Sequence, residues 1–572
     1  MGSIQPADFQ RAAVAPVAPK RIVVCCDGTW QSSVTGLKNI PSNITRLARS
    51  ISRSGKDATG QVWQQIVHYD AGIGTGELTK EEKDRQGGFG IGFIQNVIEA
   101  YNFIVLNYAP GDQIFCFGFS RGAYTARAVA GLVNDIGVIS PRDMQDFPDL
   151  YALYQKNEDS HGFRKSTVYR EWVNGVLAQD QPTNPKESPR YLKPPHKSAP
   201  ESSRVVQVVG VFDTVGSLGI PDLSWTQYHL KFLEKWLDIP NVGFHNVALS
   251  PYVRHAFHAL ALDEHRGPFS PTLWHVPELA SPNHKKTHDE IEAEWDQVHA
   301  DKNATATELS TAWSALIDCE MYDELKGTDS ELLQVWFPGV HINVGGGSDD
   351  ILTEMKGDFE QLALITFAWM CEQVAPYLQL DTDLDTLARG AVEDRYSLMR
   401  PALDAMAKAD KDALGSPLSS KGLGLLEKAG LKKAQVKGIS KEVINGWATG
   451  PIVDSYAGLM AFAGSVPRTP GRYAEDKSGK VKLGQTNEYI HPSVEYRKRS
   501  RTDYRPKPLE GFTRSARQSG SKGYDWTSST VTIPEYVIKP EHRFTRYIVA
   551  QDTSRTEGTA HDFIAEIDKI IG

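Results

Sequence analysis

The pentapeptide Gly118-Phe119-Ser120-Arg121-Gly122 has the pattern Gly-x-Ser-x-Gly and lies between two predicted elements. Residues 112–117 before it are mostly apolar and predict a short buried strand, whereas residues 123–133 after it predict a helix. A serine on such a turn has a strained backbone and an exposed hydroxyl, and amides at the start of the helix face any negative charge that develops beside it. The pattern therefore predicts that Ser120 is a nucleophile.

A serine hydroxyl reacts well only when a neighbouring imidazole takes its proton. The chain contains 16 histidines, so their positions must decide between them. His341 follows a predicted strand, comes directly after a turn that contains Pro338 and Gly339, and precedes the three glycines 345–347, which permit close approach. We therefore expect His341 to be the base.

The imidazole in turn needs a carboxylate to orient it and to stabilise its charged form. Asp213 is the first choice, because it ends the apolar segment 205–212, and residues at the carboxyl ends of parallel strands face the binding crevice. Asp263 is the alternative acid. It lies in residues 260–266, which have a helix-like pattern, so its carboxylate is also compatible with a solvated or ion-paired cluster.

The oxyanion that forms during acyl transfer needs two backbone amides. We expect one from Arg121, directly after the serine, and the other from Gly28 or Thr29 in the turn after the first predicted strand. Asp27 is expected to hold that turn in shape through hydrogen bonds to backbone amides. Four further residues are candidates for shaping the site or contacting substrate: Asp70, Gly118, Gly122 and Asn343.

The elements that must position these residues alternate along the chain. Strands are predicted at 21–26, 62–69, 112–117 and 205–212, and helices at 42–51, 92–108 and 123–133. Such alternation implies right-handed crossovers and a parallel sheet with helices on its faces. It is also the order of elements around the nucleophile in α/β-hydrolases, so we expect an α/β-hydrolase-like, mostly parallel sheet flanked by helices.

Composition changes along the chain suggest its domain organisation. Residues 1–20 are expected to be a flexible tail, 21–380 the catalytic domain with an insertion at about 141–203, and 381–572 a cap or lid of helices and loops packed on the core. Within the catalytic domain, residues 228–265 are predicted to be mostly helical.

Composition and charge exclude several classes of protein. The 572 residues are 40% hydrophobic with a net charge of −9, which offers no general basic excess for nucleic acid. Five cysteines without a Cys-x-x-Cys motif predict neither a disulfide framework nor a zinc site. We expect no cofactor and no metal. Because no signal peptide or apolar run of membrane-spanning length is evident, a cytoplasmic location is expected.

Five segments together resemble an α/β-hydrolase family of largely uncharacterised function that includes the type VI secretion phospholipase effectors. They lie at residues 27–30, 69–75, 118–123, 212–216 and 336–341, so that the resemblance spans residues 21 to about 380. The resemblance implies Ser120 as nucleophile, Asp213 as acid and His341 as base. The chain differs at Asn343, where the family usually has an aspartate.

These features predict a serine hydrolase that cleaves carboxylic esters through an acyl-enzyme. The resemblance implies lipid or phospholipid esters as substrates. The locally basic segment 497–517 could contact anionic head groups, which would give a peripheral membrane contact, although a solvated surface explains it as well. The alternative is an inactive α/β-hydrolase fold that serves as a binding or scaffold protein.

Overall fold

The computed structural model describes residues 18–28, 40–72, 90–157, 162–177, 195–215, 248–277, 286–347, 360–397, 446–452, 465–475, 482–517, 522–552 and 558–571. Within these ranges, one sheet contains eight strands in the order β2-β3-β1-β4-β5-β6-β7-β8. All neighbours in it are parallel except β2 and β3. The strands of this sheet are β1 (Lys20–Cys26), β2 (Ser54–Lys56), β3 (Val62–Asp70), β4 (Gln113–Phe119), β5 (Val206–Phe212), β6 (Val253–Ala261), β7 (Glu331–Phe337) and β8 (Glu488–Ile490).

Helices lie between and after these strands. Those of the first part of the chain are α1 (Asn43–Ser50), α2 (Gly90–Asn107), α3 (Arg121–Ile136), α4 (Phe147–Lys156), α5 (Thr167–Asn174), α6 (His288–Ala300), α7 (Ala306–Leu325), α8 (His341–Gly345) and α9 (Gln361–Val374). Those near the end of the chain are α10 (Ser493–Ser500), α11 (Arg543–Ala550) and α12 (Ala560–Ile571). A further helical stretch covers residues 384–397. The predicted helix at 42–51 is confirmed, and Ser42 caps it by accepting a hydrogen bond from the amide of Thr45 at 3.0 Å.

The core consists of two apolar layers, one on each face of the sheet. Ile22 and Val24 of β1 pack into one layer with helices α2 and α3, whereas Val23 and Cys25 pack into the other with α1, α9, α11 and α12. Alternate residues of a strand point to opposite faces, so a strand covered on both sides must be apolar throughout. The mostly parallel sheet with helices on both faces is confirmed.

The helical prediction for residues 228–265 is wrong where it can be compared. Residues 216–247 lie outside the described residues, but Val253–Ala261 forms strand β6, between β5 and β7. Its last six residues are buried, and a short apolar run of this kind does not reveal its period.

The part of the chain after residue 380 contains strands as well as the expected helices and loops. Strand β8 extends the main sheet beside β7, and β9 (Thr513–Ala516), β10 (Tyr524–Thr527) and β11 (Thr532–Pro534) form an antiparallel sheet. Trp526 and Ile533 of this small sheet pack against Trp336 of β7. Within the described ranges, no helix is both long and apolar enough to cross a membrane.

Candidate active site

Ser120 lies on the turn between β4 and α3. Its backbone has φ 58° and ψ −123°, a conformation that L-residues rarely adopt and that costs energy. A Cβ atom on Gly118 would lie 2.3 Å from the Gly122 carbonyl oxygen, and one on Gly122 would lie 2.2 Å from the carbonyl oxygen of Cys26. The two glycines therefore let the turn close on itself and let the start of α3 approach the end of β1.

We expect Gly122→Ala to lower the free energy of unfolding by about 3 kcal/mol, because the added methyl group would overlap backbone atoms that cannot move aside cheaply. Urea denaturation followed by circular dichroism measures the change. The matched control is Gly390→Ala, at an exposed helical position with no atom within 4 Å of the added group. This control should gain about 0.5–1 kcal/mol. Equal stability of Gly122→Ala and the natural protein would contradict the close approach.

Three residues predicted to act together are brought together. The Oγ atom of Ser120 lies 2.8 Å from Nε2 of His341, and Nδ1 of His341 lies 2.6 Å from Oδ2 of Asp213. Because an ionised carboxylate only accepts hydrogen bonds, Nδ1 carries the proton and Nε2 is left to accept from the serine hydroxyl. The His341 ring also packs against the rings of Phe119 and Phe269, at centroid distances of 4.8 and 4.9 Å.

Asp213 follows the last residue of β5 in a left-handed conformation, with φ 42°. Its amide donates to the carbonyl of Ala259 at 2.7 Å, and the next amide, of Thr214, donates to Nε2 of His258 at 3.1 Å. Burial, together with the charge of Arg127, lowers the pKa of His258 to about 3, so its imidazole is neutral and can accept this bond. These bonds fix the direction in which the Asp213 carboxylate leaves the sheet.

His341 opens the short helix α8 after a tight turn. Gly339 has φ 112°, and a Cβ atom there would lie 2.6 Å from Cβ of Asn343. The Asn343 Oδ1 atom accepts a hydrogen bond from the Val340 amide at 3.0 Å and so caps the turn that carries the histidine. This bond needs only an acceptor oxygen, which an asparagine supplies as well as an aspartate does.

The alternative acid, Asp263, makes no described hydrogen bond to His341. It lies just beyond β6 rather than in a helix, and its Oδ2 accepts hydrogen bonds from the Gly339 amide at 2.7 Å and the Tyr504 hydroxyl at 2.8 Å. Its neighbour Glu264 accepts the His341 amide at 3.1 Å. Both carboxylates thus hold the backbone around the histidine.

Glu264 stays ionised in this position because of Arg266. Burial alone would raise the pKa of the Glu264 carboxyl, but hydrogen bonds from the Arg266 side chain and its positive charge lower it to about 2. The guanidinium approaches the carboxylate at 2.7 Å through Nη2 and at 2.9 Å through Nε. The His341 backbone is therefore held by a carboxylate that remains charged at neutral pH.

Arg468 is a residue of the site that the sequence reasoning did not single out as functional. Its guanidinium contacts both carboxylate oxygens of Asp213, through Nη1 to Oδ1 and through Nη2 to Oδ2 at 2.9 Å. Both side chains are buried, at 1% and 0% exposure. Burial alone would raise the pKa of Asp213, but the charge of Arg468 and the hydrogen bond from His341 hold it well below its usual range. The sequence around it, with Pro467, Pro470 and Gly471, has no strand or helix period that would indicate a buried side chain.

Asp27 organises the turn after β1. Its Oδ2 accepts hydrogen bonds from the hydroxyls of Ser42, Thr45 and Tyr69 at 2.6 to 2.8 Å, and its Oδ1 accepts the amide of Gly28 at 2.7 Å. Asp27 thus holds mainly hydroxyls, together with a single backbone amide. Because the Gly28 amide already donates to this carboxylate, it is a poor choice for the second oxyanion donor.

Of the two other predicted oxyanion donors, the structure describes only Arg121. Arg121 is the first residue of α3, so its amide lies at the helix N-terminus beside Ser120. Thr29 lies outside the described residues.

Asp70, at the end of β3, receives a hydrogen bond from Asn96 at 2.6 Å, and burial raises its pKa to about 7. No described contact joins Asp70 to the Ser120–His341 pair.

Much of the basic segment 497–517 is used within the protein. Arg497 donates to the carbonyls of Ala448 and Gly450, and four other arginines of the segment pair with carboxylates. Those pairs are Arg499 with Glu495 and Glu566, Arg501 with Asp503, Arg514 with Glu535, and Arg517 with Asp525. Fewer cations are therefore available for a membrane surface than the sequence suggested.

The chain matches the sequence model of a known family and is similar to individual known proteins. The sequence model of the family described as "T6SS, Phospholipase effector Tle1-like, catalytic domain" matches residues 20–373, which is more than half of the chain. A curated relative, the uncharacterized protein YEL023C of Saccharomyces cerevisiae, is 24% identical over 282 residues. That match covers 46% of this chain and 34% of the yeast protein, so the chain spans about a third of that relative's length.

Two solved structures are also similar over part of their length. One is the Tle1 effector bound to the VgrG spike of the type 6 secretion system, with 19% identity, 58% of this chain and 51% of that chain covered, and a TM-score of 0.27. The other is an uncharacterized protein from Pseudomonas aeruginosa, with 13% identity, 63% and 46% covered, and a TM-score of 0.28. Both TM-scores are low, and the fold described above depends on neither structure.

Proposed function

Since this chain belongs to the family of Tle1-like type VI secretion phospholipase effector catalytic domains, we propose that it is a serine hydrolase that cleaves carboxylic esters of lipids. One observation carries the proposal. The Oγ atom of Ser120, on a strained turn, lies 2.8 Å from an imidazole nitrogen whose ring is oriented by a buried carboxylate. A serine in this arrangement has a base to take its proton as it attacks.

In the proposed reaction, Oγ of Ser120 attacks the ester carbonyl while Nε2 of His341 takes the hydroxyl proton. The resulting imidazolium is stabilised by Asp213 and returns the proton to the leaving alcohol. Water then attacks the acyl-enzyme with His341 again acting as base, which releases the acid and restores the serine.

The oxyanion that forms in both steps needs donors aimed at it before the reaction begins. We assign one to the Arg121 amide, which lies at the N-terminus of α3, where the helix dipole also favours negative charge. For the second donor, Thr29 is preferred over Gly28, because the Gly28 amide already donates to Asp27.

The substrate is proposed to be a phospholipid or a related lipid ester on the basis of family membership. Fatty-acid release is therefore to be measured with vesicles of phosphatidylcholine, alone or mixed with phosphatidylglycerol, beside the soluble ester p-nitrophenyl butyrate. We expect the natural protein to release fatty acid from vesicles and Ser120→Ala to release none.

The other outcomes of this experiment separate the parts of the proposal. Hydrolysis of p-nitrophenyl butyrate without release of fatty acid would keep the ester hydrolase and overturn the lipid substrate. Hydrolysis of neither would favour a binding or scaffold protein.

If a surface made of the basic segment 497–517 contacts the membrane, vesicles containing phosphatidylglycerol should sediment more of the protein than phosphatidylcholine alone.

A further inference from the structure

The carboxylate of Asp213 has every hydrogen-bonding direction occupied. Oδ1 accepts from the Ala261 amide at 2.9 Å and from Nη1 of Arg468, while Oδ2 accepts from Nδ1 of His341 at 2.6 Å and from Nη2 of Arg468 at 2.9 Å. A carboxylate accepts about four hydrogen bonds. Half of those on Asp213 therefore come from one guanidinium.

The guanidinium itself is oriented by backbone carbonyls as well as by the carboxylate. Nη1 donates to the carbonyl of Ala261 at 2.6 Å, and Nη2 donates to that of Phe269 at 2.9 Å. A planar fork fixed at four points can hold the carboxylate in one rotation about its Cβ–Cγ bond. That rotation directs Oδ2 towards the imidazole.

Arg468 reaches this position from a segment that the family match does not include, since the match ends at residue 373. The segment 465–475 is anchored on both sides of the arginine. The Val466 amide donates to the His265 carbonyl at 2.8 Å, and the Gly471 amide donates to Glu488 Oε2 at 2.7 Å. A side chain from the C-terminal region thus completes the surroundings of Asp213.

We propose that Arg468 is a positioning residue, which holds Asp213 in the orientation and ionised form in which that carboxylate supports His341. The inference rests on the proposed function, because it assigns a role within the proposed triad. Arg468 makes no described hydrogen bond to the serine, and it acts on the triad through Asp213 and through its own charge. That charge disfavours a second positive charge nearby, which includes the imidazolium that forms during the reaction.

The other charged and titratable groups around the histidine do not compete with this assignment. Glu264 lies at the His341 amide with its pKa lowered to about 2 despite burial, because of Arg266, and His258 behind the Asp213 turn has its pKa lowered to about 3 by burial. Both therefore keep one charge state across the neutral range. Burial raises the pKa of Asp263, which contacts the Gly339 amide, whereas the charges of Arg497 and Arg468 lower it, so Arg468→Gln is expected to raise it further. The ¹³Cε1 signal of His341 reports the imidazole itself, so this change is not mistaken for a shift at the histidine.

The test is the pH dependence of kcat/KM for p-nitrophenyl butyrate in the full chain. Activity requires neutral His341, so the acid limb of the profile follows the pKa of that imidazole. We expect Arg468→Gln, which removes the charge, to move this limb to higher pH by about one unit. The matched control is Arg472→Gln, because Arg472 lies exposed four residues further on and donates a hydrogen bond to Thr530, outside the site.

A second variant separates orientation from charge. Arg468→Lys keeps the positive charge but cannot reach both carboxylate oxygens at once. We expect its acid limb to coincide with that of the natural protein while kcat/KM falls about tenfold, as for a loss of alignment. A kcat/KM of Arg468→Lys equal to that of the natural protein would overturn the orienting role. This variant also provides a test if Arg468→Gln does not fold.

The titration of His341 itself gives a readout that does not need activity. With histidine labelled at ¹³Cε1, the His341 resonance is identified by its loss in His341→Gln, and it should titrate at higher pH in folded Arg468→Gln than in the natural protein. If the His341 titration or the acid limb of Arg468→Gln coincides with that of the natural protein, the proposal is overturned. If the natural protein hydrolyses no ester, the proposed function fails, whereas this titration still decides whether Arg468 controls the charge of His341.

Discussion

Replacing Ser120 by alanine is expected to lower kcat for p-nitrophenyl butyrate by about 10⁴-fold or more, while the protein stays folded. The hydroxyl is the only group that the substitution removes. The Ser120 amide still donates its hydrogen bond to the Phe212 carbonyl at 3.2 Å, so the turn between β4 and α3 persists. Hydrolysis is followed by release of nitrophenolate, and folding by circular dichroism.

The matched control for this substitution is Ser54→Ala, at an exposed serine of the edge strand β2. Strands β3 and β1 lie between β2 and β4 in the sheet, so this variant removes the same kind of group far from Ser120. Its kcat should be unchanged. Ester hydrolysis by Ser120→Ala at more than a tenth of the natural rate would assign the reaction to another group.

The second large effect is expected from Asp213→Asn, which should lower kcat by about 10⁴-fold. An amide NH₂ facing His341 would stabilise the tautomer with the proton on Nε2, so that no lone pair would be left for the serine hydroxyl. The change also leaves the buried Arg468 charge without its partner, which costs about 3–5 kcal/mol of stability. The activity must therefore be expressed per folded molecule.

Asp263→Asn serves as the control for this result, because it makes the same chemical change at the alternative acid. Asp263 accepts hydrogen bonds from Gly339 and Tyr504 rather than from His341, and an asparagine oxygen can still accept one of them. We expect kcat to fall less than tenfold. A larger loss in Asp263→Asn than in Asp213→Asn would reverse the assignment of the acid.

The features that the sequence predicted best depend on local patterns. The strand, turn and helix around Ser120 were predictable, because two glycines and a change of period from strand to helix lie within about twenty residues. The family was also predicted from short motifs, and the match over residues 20–373 confirms it. Asp213 and His341 could be chosen because each follows an apolar strand, and such strand ends meet at one edge of a parallel sheet.

The features that the sequence did not predict depend on contacts between distant residues. Arg468 lies 255 positions after Asp213 and belongs to a loop-like segment, so neither period nor spacing indicates that its guanidinium is buried there. Strand β6 was mistaken for a helix because short buried runs lack a clear period. The Gly28 amide was an equal candidate for the oxyanion site until its bond to Asp27 could be seen.

The contacts of Asn343 show what changes when an asparagine replaces the family's usual aspartate. From motifs alone, an asparagine in place of the family's usual aspartate marks a difference beside the base. In the fold, its oxygen caps the turn at the Val340 amide, while Asp213 is the carboxylate that meets the imidazole. The proposed chemistry at His341 therefore needs no charge at position 343.

Activation of Ser120 by His341 is tested most directly by intact-mass spectrometry after incubation with a fluorophosphonate. Such a probe reacts covalently with serines that have a base beside them, whatever the natural substrate is. The account predicts one adduct on the natural protein and none on Ser120→Ala or His341→Gln. A natural protein without an adduct, or an adduct that persists in Ser120→Ala, would contradict it.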